Sequence, residues 1–208
     1  MIPVDVLAGF AGISLLLCIA PGPDNLFVLA QSALYGRMAG IRVTLGLCTG
    51  LVVHTAVVAL GIAALIRTTP LAYDALRFAG AAWLLYLAWQ AFRAAPADMP
   101  AGGAQAPDGW RLYRRGIIMN VTNPKVTLFF LALLPQFTDP ARGPVLMQIV
   151  LLGVIFMLST LLVFGLVAIL AGSIGRWLGR TPRAQYILHV LAGIVFIGLA
   201  VRLLLSDL

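Results

Sequence analysis

Pro21-Gly22-Pro23-Asp24-Asn25 interrupts an apolar run that starts near Val6 and resumes through Leu26-Phe27-Val28-Leu29-Ala30. A second interruption, Asn120-Val121-Thr122-Asn123-Pro124-Lys125, stands inside an equally apolar stretch near the middle of the chain. Proline removes a backbone donor and collides with the preceding turn, so each break opens the hydrogen-bond ladder of a helix. A charge in hydrocarbon is expensive and is usually kept for function. One such site in each half points to a membrane transporter, not to a water-soluble domain.

The composition agrees. Of 208 residues, 62% are hydrophobic and 10% charged, whereas soluble domains carry about 25% charged residues. A soluble fold of this size could not hide so much apolar surface. The formal charge of +7 comes from 14 Lys and Arg against seven acids, all of them Asp, and Lys125 is the only lysine. The arginines sit in short linkers and form no long basic face, so nucleic acid is not an expected partner. Cys18 and Cys48 both fall inside apolar stretches and read as small buried hydrophobes. The first residues, Met1-Ile2-Pro3-Val4-Asp5, carry an acid where a cleaved signal peptide has a basic region.

A spanning helix needs about 20 apolar residues. Six stretches qualify, roughly Val6 to Ala30, Val43 to Ile66, Ala75 to Phe92, Gly116 to Leu134, Val145 to Ala171 and Tyr186 to Leu205. Segments such as Ala81-Ala82-Trp83-Leu84-Leu85-Tyr86-Leu87 lack the alternation of a membrane barrel. The expected fold is an all-α membrane protein of six transmembrane helices, forming one transporter domain over residues 1–208. Its halves cover about 1–92 and 111–208, and a cytoplasmic loop of about 93–110, rich in Pro and Gly, joins them. With three spans per half, a duplicated unit enters the membrane in opposite orientations, giving two inverted three-helix halves. Pro23-Asp24-Asn25-Leu26-Phe27 is similar to Pro124-Lys125-Val126-Thr127-Leu128-Phe129 with one residue inserted, although chance likeness is common in so apolar a sequence.

Positive residues prefer the cytoplasmic side. Arg37, Arg42, Arg93, Arg111, Arg114, Arg115, Arg176, Arg180 and Arg183 fall in alternate linkers, against Arg67, Arg77, Arg142 and Arg202 on the other side. Both termini are therefore expected to be periplasmic or extracellular.

The candidate substrate and proton pathway is Pro21, Gly22, Pro23, Asp24, Asn25, His54, Asn120, Asn123, Pro124 and Lys125. An opened turn exposes carbonyls and amides that can coordinate a zwitterion. Asp24 must pair, face a wet cavity or take up a proton, unless it only caps a helix at the membrane edge. Asn120 and Asn123 can donate and accept at an opened helix. Lys125 could bind a substrate carboxylate or pair with Asp24, or else snorkel to the surface. His54 could relay a proton or simply hold helices together through Thr49, Thr55 or a backbone group. The glycine pairs Gly36/Gly40 and Gly46/Gly50 read as helix-packing spacings. Two distant histidines and two isolated cysteines make no zinc set, and no hydrolase or phosphate-binding motif is present, so no cofactor, metal or catalytic site is expected.

With these residues in view, the chain resembles the LysE/RhtB amino-acid exporter family, also described as the lysine exporter or homoserine/threonine efflux family. The resemblance spans essentially the whole chain. It is carried by Pro21-Gly22-Pro23 in the first span, by Asn123-Pro124-Lys125 followed by Leu128-Phe129-Phe130 in the fourth, and by the order of spans. It implies an inner-membrane secondary exporter of a small amino acid or related metabolite, energised by protons. The expected partners are that solute, protons and membrane lipid; a homo-oligomer is compatible with the sequence. The rival readings are a helix-bundle assembly protein and an intramembrane enzyme. Asp24 and Lys125 are expected to face one central polar region and to pair when it is closed, with substrate ammonium replacing Lys125 at Asp24 and substrate carboxylate replacing Asp24 at Lys125.

Overall fold

The computed structural model describes residues 2–68, 70–94, 107–180 and 182–205, with some side chains around 62–77 and 172–184 outside the description. Most of the expected loop over about 93–110, including Gly102-Gly103, lies outside the described residues.

All regular structure among the described residues is helical. The chain runs through α1 (Val4–Ile19), α2 (Pro23–Tyr35), α3 (Arg37–Thr68), α4 (Pro70–Arg93), α5 (Gly109–Val121), α6 (Pro124–Leu128), α7 (Val145–Arg180) and α8 (Pro182–Leu205). One π-helical turn, Phe129–Leu133, and a 3-10 turn, Leu134–Phe137, prolong α6.

The prolines place the breaks. Ala20 leaves the helical region, Gly22 is fully extended, and Pro23 occupies the first turn of α2, a position that needs no backbone donor. The axes of α1 and α2 differ by 59°. In the second half Asn123 is extended, Pro124 again opens the new helix, and the bend is 49°. Asn123 caps α6 by accepting from the Lys125 amide at 3.0 Å. Gly36, at φ 84°, supplies the left-handed residue that turns α2 into α3.

Three described segments, Arg37–Gly61, Val145–Ala171 and Gln185–Leu205, are long and apolar enough to cross a membrane, and each bent pair adds one more candidate, for up to five. The remaining expected stretch, Ala75–Phe92, is helical within the 24-residue α4, whose N-terminal side chains are largely outside the description. Helix α3 packs on α5 and α7, α4 packs on α8, and α1 and α2 pack on α7. Large apolar side chains such as Leu60 (71% exposed) and Met147 (66%) point outward, which suits a lipid-facing surface and would be costly in water.

The α3–α5 contact depends on glycine. A Cβ on Gly46 would stand 2.1 Å from the Tyr113 carbonyl oxygen, and one on Gly116 would stand 2.4 Å from that of Val43. One on Gly50 would meet Asn120 at 2.7 Å. The Gly46/Gly50 spacing is thus a packing device that brings α5, and with it Asn120, against α3. Beneath the breaks, Phe10, Phe129, Phe130, Phe137 and Phe156 form a buried aromatic cluster with ring centroids 5.0–6.1 Å apart.

Candidate functional site

The two helix breaks meet. Asp24, Asn25, Asn120, Asn123 and Lys125 line one chamber of about 30 Å³, with Cys18 and Thr160 on its polar wall and Phe129, Phe156 and Phe164 on its apolar one. That volume holds water but not an amino acid, so the chamber is closed in this structure.

The first break explains what Lys125 does here. In an unbroken helix the Leu17 carbonyl would accept from the amide of residue 21, and Pro21 has none. The Lys125 ammonium takes that place, donating to the Leu17 carbonyl at 3.0 Å and to the Ala20 carbonyl at 3.0 Å. The Asn25 side-chain amide donates to the Cys18 carbonyl. Three carbonyls at the C-terminus of α1 are thereby satisfied by side chains from beyond the breaks, and Lys125 sits at the negative end of the α1 dipole. The ammonium also lies 5.3 Å from the centre of the Phe196 ring on α8.

Asp24 lies in the first turn of α2, at the positive end of that helix. Among the described residues it is the only Asp, Lys or Arg that is buried, at 5% exposure. Its Oδ2 accepts a long 3.4 Å bond from the Asn120 side-chain amide, while its Oδ1 has no hydrogen-bond partner. The Asn120 Oδ1 is likewise buried without a partner. The chamber therefore holds two buried acceptor atoms that make no hydrogen bond of good geometry, although the Asn123 amide stands close to the Asp24 carboxylate, and such groups are costly to leave unmade.

The expected pairing of Asp24 with Lys125 is corrected in one respect. Both line the chamber, but they form no ion pair in this structure; each is matched to an end of the broken first helix instead. His54 also has a definite partner. Its Nε2 lies 3.1 Å from the Asn120 carbonyl, which can only accept, so Nε2 is the protonated nitrogen. The ring also stacks obliquely on Phe130, 5.6 Å between centroids. His54 thus touches the second break through Asn120 and does not reach Asp24. Pro21, Pro23 and Pro124 shape the backbone. All three also face a second cavity.

That second cavity, about 460 Å³ and open, lies on the other side of Lys125. It shares Gly22, Asn123 and Lys125 with the chamber and adds Trp83, Tyr86, Leu87, Gln90 and Ala91 from α4, Ala94 just beyond it, and His189 and Phe196 from α8. Sequence reasoning missed the α4 wall. Positions 83, 86, 87, 90, 91 and 94 form one helical stripe, but the other faces of the helix are apolar too, so the stripe alone does not mark the wall. Cys18 and Thr160, which share a 3.5 Å hydrogen bond in the chamber wall, carried no comparable signal.

Two broken helices meeting around a small polar chamber inside an apolar bundle define a multi-pass helical membrane protein with a polar centre. The chain belongs to the LysE type translocator family, whose model matches residues 15–207. It is 35% identical over 183 residues to a homoserine/homoserine lactone efflux protein of Salmonella typhimurium, covering 88% of each chain. The corresponding efflux protein of Salmonella typhi is 34% identical with the same coverage. An uncharacterized membrane protein of Pseudomonas aeruginosa is 31% identical over 195 residues, covering 90% of this chain and 89% of its own. No solved structure matches the chain. Membership and architecture together make it a multi-pass protein of the bacterial inner membrane with a membrane transport function.

Proposed function

We propose that the protein exports a small amino acid or a close derivative of homoserine type, coupled to protons, by alternating access around the Asp24–Lys125 chamber. The observation that carries this reading is the pair of unpartnered acceptors, Asp24 Oδ1 and Asn120 Oδ1, in a chamber bounded by both helix breaks. A substrate ammonium supplies the missing donors. A proton on Asp24 removes the charge that holds that ammonium, which links release to acidity on the far side. A helix-locking assembly role, the rival reading, favours polar groups that satisfy one another.

The orientation and symmetry belong to the same proposal. Each half has a broken helix followed by two long ones: α1–α2, α3 and α4, then α5–α6, α7 and α8. Gly22 and Asn123 are the caps, Pro23 and Pro124 the first helical residues, and Asp24 and Lys125 follow them. This correspondence supports inverted repeats with α4 as a sixth crossing. The basic linkers then lie in the cytoplasm and both termini outside. The open cavity, which runs along the C-terminal half of α4 to Ala94, becomes the cytoplasmic entrance.

Proteoliposomes loaded with radiolabelled L-homoserine, homoserine lactone or other small neutral amino acids, and given an imposed pH gradient, test the reading. Gradient-dependent flux of at least one of them is expected. No flux across the panel, with the protein folded and correctly inserted, would sink the exporter.

A further inference from the structure

Three residues line both the chamber and the open cavity: Gly22, Asn123 and Lys125. Asn123 caps α6, and Lys125 donates to the Leu17 and Ala20 carbonyls. Gly22 has neither of the usual reasons for being glycine, a left-handed backbone or a close backbone approach. Its φ is −169° and its ψ 177°, an extended conformation that any residue adopts. The nearest atoms that an added Cβ would meet belong to side chains, Lys125 Nζ at 3.5 Å, Asn25 Oδ1 at 3.7 Å and Lys125 Cδ at 3.7 Å. Gly46 and Gly116 differ, since an added Cβ there would run into backbone. At Gly22 the distances are those of ordinary contact, so alanine fits without a clash. They also fix where the carbon would stand: in the gap between Lys125 and Asn25, touching both. The missing side chain therefore leaves clearance where the chamber adjoins the cavity.

We propose that Gly22 is the size-determining residue of the protein, setting the width of the gap between Lys125 and Asn25 through which a solute passes from the open cavity into the chamber. This inference rests on the transport reading and deepens it by naming the residue that limits solute size. Both walls of the gap are tethered to the C-terminal end of α1. Lys125 is held by the Leu17 and Ala20 carbonyls at 3.0 Å each, and Asn25 by the Cys18 carbonyl. Widening the gap means breaking hydrogen bonds, two of them from a charged donor, so the walls resist spreading. Carbon added at position 22 shrinks the largest solute admitted and leaves those bonds in place.

Cys18 lines the chamber but not the cavity, so its thiol reports what crosses the boundary. With Cys48→Ala as the parent, Cys18 is the one remaining cysteine. The full chain in nanodiscs is treated with methyl methanethiosulfonate, a small thiol reagent, and separately with its bulkier benzyl counterpart. Mass spectrometry follows the adduct, and thermal unfolding establishes that each variant is folded. Both reagents are expected to modify Cys18 in the parent. Gly22→Ala should slow the benzyl reagent about tenfold, the scale of one methylene in a fitted site, and the methyl reagent less than about twofold. Gly22→Val should slow both; should it not fold, Gly22→Ala carries the comparison alone. Equal rates for parent and folded Gly22 variants would overturn the proposal. So would equal slowing of the two reagents by Gly22→Ala, or a parent Cys18 that reacts with neither. The readout needs no transport. Size-graded labelling without solute flux would defeat the exporter and leave the size limit at Gly22 standing; flux with labelling indifferent to position 22 would do the reverse.

Discussion

The Lys125 ammonium donates to the Leu17 carbonyl, the acceptor that Pro21 leaves without a backbone partner. A side chain from the second helix break thus completes the first. The two interruptions form one structural unit, and the wall between the chamber and the open cavity is the side chain that joins them.

Replacing Lys125 with Met keeps most of the length of the side chain and removes all its side-chain donors. The Leu17 and Ala20 carbonyls then lose their partner, and the positive charge leaves the C-terminal end of α1. A loss of about 2 kcal/mol in stability is expected, together with loss of flux. Lys125→Arg retains donors and charge and should recover most of the stability but less of the flux, because the planar guanidinium is not shaped for two carbonyls that converge on one nitrogen. Thermal unfolding in detergent, read beside proteoliposome flux, checks both.

Asp24→Asn should separate activity from stability. The amide can still accept from Asn120 through its oxygen, and it removes a buried carboxylate that has one oxygen unpartnered. The folded state should be unchanged or stabilised by about 1 kcal/mol. Flux should fall more than tenfold, and what remains should ignore the imposed pH gradient. Full flux with an intact pH response in this variant would remove Asp24 from the coupling role.

Gly46→Val tests the α3–α5 contact. Even the first added carbon would stand 2.1 Å from a backbone oxygen, which no rotamer change relieves. Destabilisation of about 3 kcal/mol is expected. Gly9→Val in α1, where an added Cβ meets nothing within 4 Å, is the control. Equal melting temperatures for the two variants would contradict the packing role.

His54→Gln asks whether the histidine holds or relays. Its Nε2–H donates to the Asn120 carbonyl, a bond a glutamine amide can also make. If holding Asn120 is its task, Gln should keep flux within about threefold of the parent, as expected for one neutral hydrogen bond remade with altered geometry. His54→Leu should lose flux much further. Equal loss in both variants, with the pH response abolished, would instead favour proton relay.

Much of the architecture was legible because membrane length is a coarse and strong signal. The apolar runs gave the long helices, and Pro21, Pro23 and Pro124 gave both breaks within a residue. The convergence of Asp24, Asn120, Asn123 and Lys125 followed from treating buried polar groups as costly. The partners of Lys125 were not legible. They are backbone carbonyls, and a carbonyl left free by a proline becomes visible only when the geometry shows what reaches it. The α4 wall was hidden for a different reason. In a membrane, the outward face of a helix is as apolar as the inward one, so Trp83 and Tyr86 carry no contrast that marks which way they point.

The same geometry reverses the outcome expected for a charge swap. If Asp24 and Lys125 held each other, Asp24→Lys combined with Lys125→Asp would recover function lost in either single variant. Here each charge is matched to a helix end: Asp24 to the N-terminus of α2, Lys125 to the C-terminal carbonyls of α1. The exchanged pair would place a carboxylate against those carbonyls and an ammonium at a positive dipole end, so both electrostatic matches become mismatches. The double variant should therefore transport no better than the worse single variant and should be less stable than both. Flux and unfolding measured for all members of the cycle decide the matter. Recovery of flux in the double variant would mean that direct pairing of the two side chains, in a state other than this one, dominates the energetics of the cycle.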